Sequence, residues 1–362
     1  MKDAIENALI SLWKNILGLD DIKRDDDFFE IGGESLTVLQ LVAQLKAKFK
    51  INANASTILK YPTIMKLAEF ILSEATSVQS SSQSCVLCLQ EGYNTQTYVP
   101  LILIHAADGD VYIYSHLVKG MPDKFPIYAI RSPLMNEKKN FKTLEKMAEF
   151  YLAELNSFGL QPPFLIGGAS FGGVVAYHMA QILLHQGKDR PMVVSIDAPA
   201  YTNLPDAYDE DILIIEFLNK YMFSQLGIQN EEIRAFSSTQ EQTDFIINKA
   251  KQVGMRSILP EDFGPKFIST WRQQQQLMNY YIAEPYDGDM VFFSHTEITP
   301  EFPTDQNLEW MKLVRGSFAH HKIPGNHSNM TSSPNVNTII KHLTEIMESS
   351  FKEKKSTLQL SA

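Results

Sequence analysis

FLIGGASFGGVVAYHMAQILLHQG, residues 164–187, reads as a buried strand, a tight turn and a helix, with Gly168, Ser170 and Gly172 at the turn. A serine at such an elbow sits on strained backbone. The small residues around it let the chain reverse sharply, and the adjoining helix start favours developing negative charge. A glycine-rich strand-to-helix turn can instead cradle a phosphate, but that chemistry calls for a lysine nearby and none follows in the helix. Ser170 is therefore the candidate nucleophile.

On either side of the elbow lie further short apolar runs: VPLILIH (99–105), PIYAI (126–130), MVVSID (192–197) and DMVFFSH (289–295). Such runs, separated by helical periodicity, predict a mostly parallel sheet with crossover helices. The stretch from about 201 to 282 breaks the rhythm. EDILIIEFLNKYM and FISTWRQQQQLMNYYI are helical with no strand between them, which predicts a helical insertion over the sheet. Towards the N-terminus, Ile5, Leu9, Leu12, Trp13 and Ile16 recur at three- and four-residue steps, as do Val38, Leu41, Val42, Leu45 and Phe49, and a shorter run covers Ile64 to Leu72. This predicts a small helical bundle. Its first two long helices are joined by an acidic loop, Gly18 to Glu34, long enough to be functional. ATSVQSSSQS, from Ala75 to Ser84, offers almost nothing apolar to bury and reads as a tether between two domains.

Composition narrows the function classes. A chain of 362 residues with 44% hydrophobic content suits two domains, and a formal charge of −10 with pI near 5.4 gives no footprint for nucleic acid or an anionic membrane. No apolar run approaches a membrane span and the first residues do not resemble a secretory signal, so the chain reads as cytoplasmic. Cys85 and Cys88 form a lone C-x-x-C without two further zinc ligands nearby, and positions three apart on a strand face opposite ways. They read as packing residues, and no metal is expected.

A serine hydroxyl needs a base. Of nine histidines, His327, in the turn IPGNHSNM after the last candidate strand, stands where the order Ser, acid, His of α/β-hydrolases would put it. His295, ending DMVFFSH, is the second candidate for the base. His320 and His321 read as strand positions; His116, His178, His185 and His342 lie on helices, and His105 at a strand end has a structural role. For the acid, Asp197 ends the strand after the nucleophile unit, where a carboxylate reaches the same crevice as the elbow. Glu297 and Asp305, beyond DMVFFSH, are the alternatives. The oxyanion hole needs two backbone N–H groups, assigned to Ala107, in the loop after the first central strand, and to Phe171, just after the nucleophile.

In the bundle, DDDFFEIGGESLTVLQL places Ser35 at a helix start directly after Gly32-Gly33-Glu34. Serine is a common helix cap, but with Phe28-Phe29 and the acidic run the segment resembles the F-F-x-L-G-G-x-S-L signature of carrier domains that hold 4'-phosphopantetheine. The whole chain resembles a carrier domain followed by a type I thioesterase, the terminal pair of a nonribosomal peptide synthetase or polyketide synthase. The resemblance implies a four-helix-type carrier bundle over 1–76, a linker and first strand region over 77–90, an α/β-hydrolase domain over 91–350 with a lid at about 201–282, and a frayed tail, 351–362. It implies that Ser35 carries 4'-phosphopantetheine, that Ser170, Asp197 and His327 form the triad, and that release ends in hydrolysis or macrocyclisation. Implied partners are an acyl or peptidyl thioester, a phosphopantetheinyl transferase facing the acidic loop, and upstream synthase domains. Two positions depart from the pattern: Asp108 follows Ala107 where many relatives have glycine, and Glu34 stands where many peptide carriers have histidine. Two other classes fit parts of the sequence, a hydrolase of free esters or amides and a non-catalytic module that holds an acyl chain.

Overall fold

The computed structural model describes residues 2–33, 35–51, 53, 55–76, 84–93, 98–133, 140–188, 190–200, 227–252, 263–297 and 307–360. The chain divides into two compact units, Met1–Gln83 with Asp209–Arg272, and Ser84–Tyr208 with Gln273–Ala362.

The first unit contains helices α1 (Lys2–Leu17), α2 (Ser35–Phe49), α3 (Ala55–Lys60) and α4 (Ile64–Thr76). Residues spaced by three and four put Leu9, Leu12 and Trp13 of α1, Val38, Leu41 and Leu45 of α2, and Leu67, Ala68 and Ile71 of α4 into one core. Helix α1 packs on both α2 and α4. The acidic loop is anchored by Phe28, which is fully buried, meets Trp13 edge-on at 4.9 Å and donates its N–H to Pro62 O at 2.8 Å. The unit also holds α8 (Asn230–Arg234) and α9 (Thr239–Gln252), with α10 (Phe263–Asn279) running across its limit. The insertion expected at 201–282 holds helices and no strand among its described residues, and EDILIIEFLNKYM lies outside them. Its portion from Asp209 to Arg272 falls in the first compact unit. It has an interior of its own: α8 packs on α9, with the Phe236 and Phe245 rings 5.0 Å apart.

The second unit is a seven-stranded sheet in the order β1-β3-β2-β4-β5-β6-β7. The strands are β1 (Val86–Gln90), β2 (Leu101–Ile104), β3 (Ile127–Ile130), β4 (Leu165–Ala169), β5 (Val193–Ile196), β6 (Met290–His295) and β7 (Phe318–Ile323). Strand β1 runs antiparallel to β3 and the other pairs are parallel. Strands β2 to β5 are buried along their whole length, which is why they read as unbroken apolar runs. Between strands lie α5 (Ser115–Gly120), α6 (Leu144–Ser157), α7 (Phe171–His185) and α11 (Asn307–Leu313), and α12 (Asn337–Leu360) closes the chain.

Two boundaries need correcting. The strand set with the linker over 77–90 supplies a sheet edge, since Val86 pairs with Ile130, so the sheet domain starts before residue 91. The tail 351–362 is helical as far as Leu360 rather than frayed, because KEKKSTLQL is rich in helix formers that extend α12. Neither cysteine is in a disulfide; Cys85 is buried and Cys88 partly so.

Chain order and strand order together locate the crevice. After β2 the chain moves outward to β3, then crosses back to β4 on the other side of β2. The β2/β4 seam is thus the topological switch point, where connections leave in opposite directions and open a cleft beyond the strands' C-terminal ends.

Candidate active site

The elbow stands at that seam. Ser170 follows β4 with φ 52° and ψ −120°, and α7 begins at the next residue. A side chain is strained in this region, so the position is held by its surroundings. Ser170 N–H donates to Ile196 O of β5 at 2.8 Å. A Cβ on Gly168 would lie 2.6 Å from the carbonyl carbon of Gly172, and one on Gly172 would lie 2.7 Å from His105 O. Larger residues at either place would push the helix start away from β2.

Asp197 follows β5 just as Ser170 follows β4: Ala169 and Ile196 are paired, and Asp197 also has a positive φ, 51°. Ser170 and Asp197 are therefore neighbours across one ladder. The Asp197 N–H donates to Phe293 O at 2.7 Å, and Trp310 Nε1 fixes the next residue by donating to Ala198 O at 2.9 Å. His327 Nδ1 lies 2.6 Å from Asp197 Oδ2. Its turn is pinned by Gly325 (φ 91°) and by Asn326 N–H donating to Asn329 Oδ1 at 2.8 Å. The same Oδ2 meets a second imidazole, His295 Nδ1, at 2.7 Å. With Asp197 ionised, each Nδ1 must carry a proton and donate, which leaves the basic lone pair of each ring on Nε2. Burial alone would raise the Asp197 pKa, but the hydrogen bonds from His295 and His327 outweigh it and hold it at about 2.

Of the alternative acids, Glu297 is exposed and its carboxylate accepts from Asn326 Nδ2 at 3.5 Å; Asp305 lies outside the described residues. Asp197, His295 and His327 offer ligand atoms within 4.8 Å of one another, close enough for a metal ion, but the bonds to Oδ2 already explain the grouping.

The loop after β2 borders the elbow. His105 is fully buried, with Nε2 2.6 Å from Tyr151 Oη, and its ring stacks on Phe171 at 5.6 Å. Burial, only partly offset by the Ala106 carbonyl, lowers its pKa to about 4, so it is a neutral packing group. Ala107 is buried two residues further on, and the His105–Phe171 contact brings the segments bearing both assigned oxyanion donors together. Asp108 Oδ1 accepts from Asp110 N–H at 3.1 Å, so the departing residue braces its own loop. Burial and the neighbouring Asp110 push its carboxyl up to about 7.

Tyr114 escaped the sequence reading. Its hydroxyl donates to Ile104 O at 2.5 Å and accepts from Ala169 N–H at 2.8 Å, stitching the end of β2 to the residue before Ser170. The contact of His295 with the acid was also missed. Its only signal was register, since Ile196 pairs with Phe293 and the residues beyond each pair converge.

In the other unit, Ser35 opens α2. Gly33 N–H donates to Phe28 O at 2.8 Å, and a Cβ on Gly33 would overlap the Phe28 ring and carbonyl. Gly32 has φ 106°. The buried phenylalanine and the two glycines fold the loop tightly and deliver Ser35 to the first turn of a 15-residue helix, where backbone N–H groups suit a phosphodiester. Glu34 lies outside the described residues. Of the loop acids, Asp26 accepts from Lys23 N–H at 2.7 Å and Asp27 from Phe29 N–H at 2.9 Å, so these two brace the loop, whereas Asp20, Asp21 and Asp25 are exposed.

A strained serine at the switch point of such a sheet, with a histidine-bound carboxylate on the next strand, defines an α/β-hydrolase equipped for acyl transfer. The thioesterase domain family model matches residues 99–347, and the chain belongs to that family. The phosphopantetheine attachment site model matches residues 7–71, so a carrier segment precedes the thioesterase domain.

The chain is similar to the probable non-canonical nonribosomal peptide synthetase CymA of Salinispora arenicola, 26% identical over 89% of this chain and 4% of the relative. It is similar to a dimodular nonribosomal peptide synthase of Bacillus subtilis, 24% identical over 90% of this chain and 13% of the relative. With the atromentin synthetase invA1 of Paxillus involutus it shares 29% identity over 89% of this chain and 34% of the relative. The chain thus spans about a third or less of these curated relatives. A solved holo four-domain nonribosomal peptide synthetase bound to AMP and glycine matches with TM-score 0.64 and 26% identity, over 94% of this chain and 26% of that one. The Vlm2 thioesterase domain shares the fold, with TM-score 0.52 and 21% identity over 72% of this chain and 96% of that one.

Proposed function

We propose that this thioesterase releases an acyl or peptidyl chain held as a thioester on 4'-phosphopantetheine at Ser35, ending peptide or polyketide assembly by hydrolysis or macrocyclisation. The observation that carries the reading is the placing of a strained Ser170 just past β4 beside Asp197 just past β5, the latter 2.6 Å from His327. The prosthetic group supplies a long arm whose thiol presents the chain as a reactive thioester.

The remaining chemistry belongs to the protein. His327 Nε2 takes the proton of Ser170 Oγ as Oγ bonds to the thioester carbonyl carbon. Asp197 holds the ring by Nδ1 and stabilises its cationic form. The N–H groups of Ala107 and Phe171 receive the oxyanion. As the tetrahedral intermediate collapses, the C–S bond breaks and the sulfur takes the proton from His327. A water, or an amine or hydroxyl of the chain itself, then gives its proton to His327 and attacks the Ser170 ester; the bond from the acyl carbon to Oγ breaks and Ser170 Oγ takes the proton back from His327.

Upstream synthase domains would load the chain. A phosphopantetheinyl transferase would use the exposed acids Asp20, Asp21 and Asp25 beside the Ser35 loop. The reaction is assigned to the cytoplasm; among the described residues, no helix is long and apolar enough to cross a membrane. Intact-mass spectrometry after incubation with a transferase and an acyl-coenzyme A tests the scheme. Ser35→Ala is expected never to load and Ser170→Ala to load and stall. Rapid release by Ser170→Ala would overturn it.

A further inference from the structure

His295 is the polar group at the site for which the release chemistry above has no use. It ends β6, two strands from the β4 that carries Ser170, hence about 10 Å away along the sheet. Its Nδ1 faces Asp197 Oδ2, and Asp197 is the group it acts on. Its contacts reach both carboxylate oxygens: Nδ1 lies 2.7 Å from Oδ2, and the backbone N–H lies 3.4 Å from Oδ1. Oδ2 is the oxygen that also meets His327, at 2.6 Å. The side chains of His295, Asp197 and His327 are 8%, 9% and 11% exposed, so water does little to screen one ring from the other. Many hydrolases place their acid after this strand; here the strand end carries a donor to an acid placed one strand earlier.

We propose that His295 is a positioning residue for the Ser170 reaction: it locks the Asp197 carboxylate in rotation and takes a share of its charge, and so governs how strongly Asp197 supports His327. This rests on the triad reading above. Two donors on one oxygen compete, so the charge His295 holds is charge His327 does not feel. Removing His295 leaves the carboxylate more basic and less fixed. The His327 ring then faces a stronger acceptor, while the proton-transfer geometry loosens.

Other titratable groups on the packed elements are Glu297 beyond β6, Lys322 and His320 on β7, the latter 2.8 Å from Ser294 Oγ, and His321, stacked 3.6 Å from His342 of α12. His342 lies 3.4 Å from Glu345. All stay in place in the variants below.

The test uses the full chain, with Ser170 labelling by a fluorophosphonate and turnover of an acyl-N-acetylcysteamine thioester, each followed against pH. His295→Phe is expected to lower kcat about tenfold at constant KM and to move the acidic limb of both profiles upward by about 0.5 to 1 pH unit. His295→Asn, which keeps an N–H near the Nδ1 position, is expected to restore the limb and most of kcat. Should the Phe variant not fold, His295→Ala introduces no clash and must show the same shift. A limb unmoved in His295→Phe or His295→Ala, or a His295→Asn variant no better than either, overturns the proposal. Failure of the wild-type chain to label at Ser170 would instead overturn the triad reading.

Discussion

Tyr114→Phe removes one oxygen and with it both bonds between the end of β2 and the nucleophile strand. Strand β2 stops at Ile104, whose partner in β4 is Gly168, so the next amide, that of Ala169, finds the Tyr114 hydroxyl instead of a strand carbonyl. Ile104, Tyr114 and Ala169 are at most 4% exposed, and a phenyl ring leaves the Ala169 N–H without its acceptor and the Ile104 carbonyl without the hydroxyl. An unmade buried hydrogen bond costs about 1–3 kcal/mol. Because both bonds share one hydroxyl and neighbours relax, the expected loss is about 2–4 kcal/mol. The loop bearing Ala107 and the elbow bearing Ser170 then part slightly, and a shift of even 1 Å at such a site costs up to about 100-fold in rate. Urea unfolding of the sheet unit, hydrogen exchange at 101–107 and 165–171, and thioester turnover measure the three consequences. Stability within about 0.5 kcal/mol of the wild type, with Ala169 still protected, would show that the hydroxyl does not bridge the two strands.

Other perturbations separate the roles of charge and shape. A carboxylate held at a pKa of about 2 stabilises the fold above its unfolded value near 3.8 and loses that contribution as pH falls towards 2. Asp197→Asn should therefore cost about 2 kcal/mol at pH 7 by thermal melting, a difference that shrinks with acidification, and lower kcat by about 1,000-fold or more because the amide disturbs the histidine tautomer. Asp108 runs the other way: a carboxyl raised to about 7 burdens the fold when ionised, so Asp108→Asn, which keeps an acceptor for Asp110 N–H, should raise Tm more at pH 8 than at pH 5. Equal gains at both pH values would contradict that burial. In the carrier segment, Gly33→Ala forces a methyl onto Phe28; mass spectrometry should show slowed loading of Ser35, with the rate of Ser170 labelling unchanged.

What was legible in the sequence was whatever one segment spells out alone. The elbow, the bundle helices and the carrier turn each carry their signal within about 25 residues, because backbone constraints and amphipathic periodicity are local. Strand identity was legible for a related reason: parallel strands buried on both faces must be apolar throughout, as Leu101–Ile104 and Val193–Ile196 are. Contacts that depend on strand order were not. Tyr114 sits in a short helical turn with no motif around it, and its role exists only because β2 and β4 are neighbours despite the strand and helices between them in sequence. His295 was weighed as a base because a histidine at a strand end offers no sign of which strand lies beside it.

The backbone itself marks the site, independently of motif. Among the described residues three non-glycine positions have positive φ, and two are Ser170 at 52° and Asp197 at 51°. They occupy equivalent places, each the first residue past a central parallel strand, on strands paired through Ala169 and Ile196. Each such position costs about 1–3 kcal/mol and persists only if the surroundings impose it. Here the ladder does so by continuing one bond beyond each strand: Ser170 N–H reaches Ile196 O, and Asp197 N–H reaches Phe293 O. The sheet thus turns Ser170 and Asp197 out of the strand direction by the same device, at the ends of adjacent strands. A carboxylate after β6 would need a different turn, because His295 there still lies within the strand, in register with Ile323. That difference in backbone explains why the end of β5 presents a carboxylate while the end of β6 presents a donor to it.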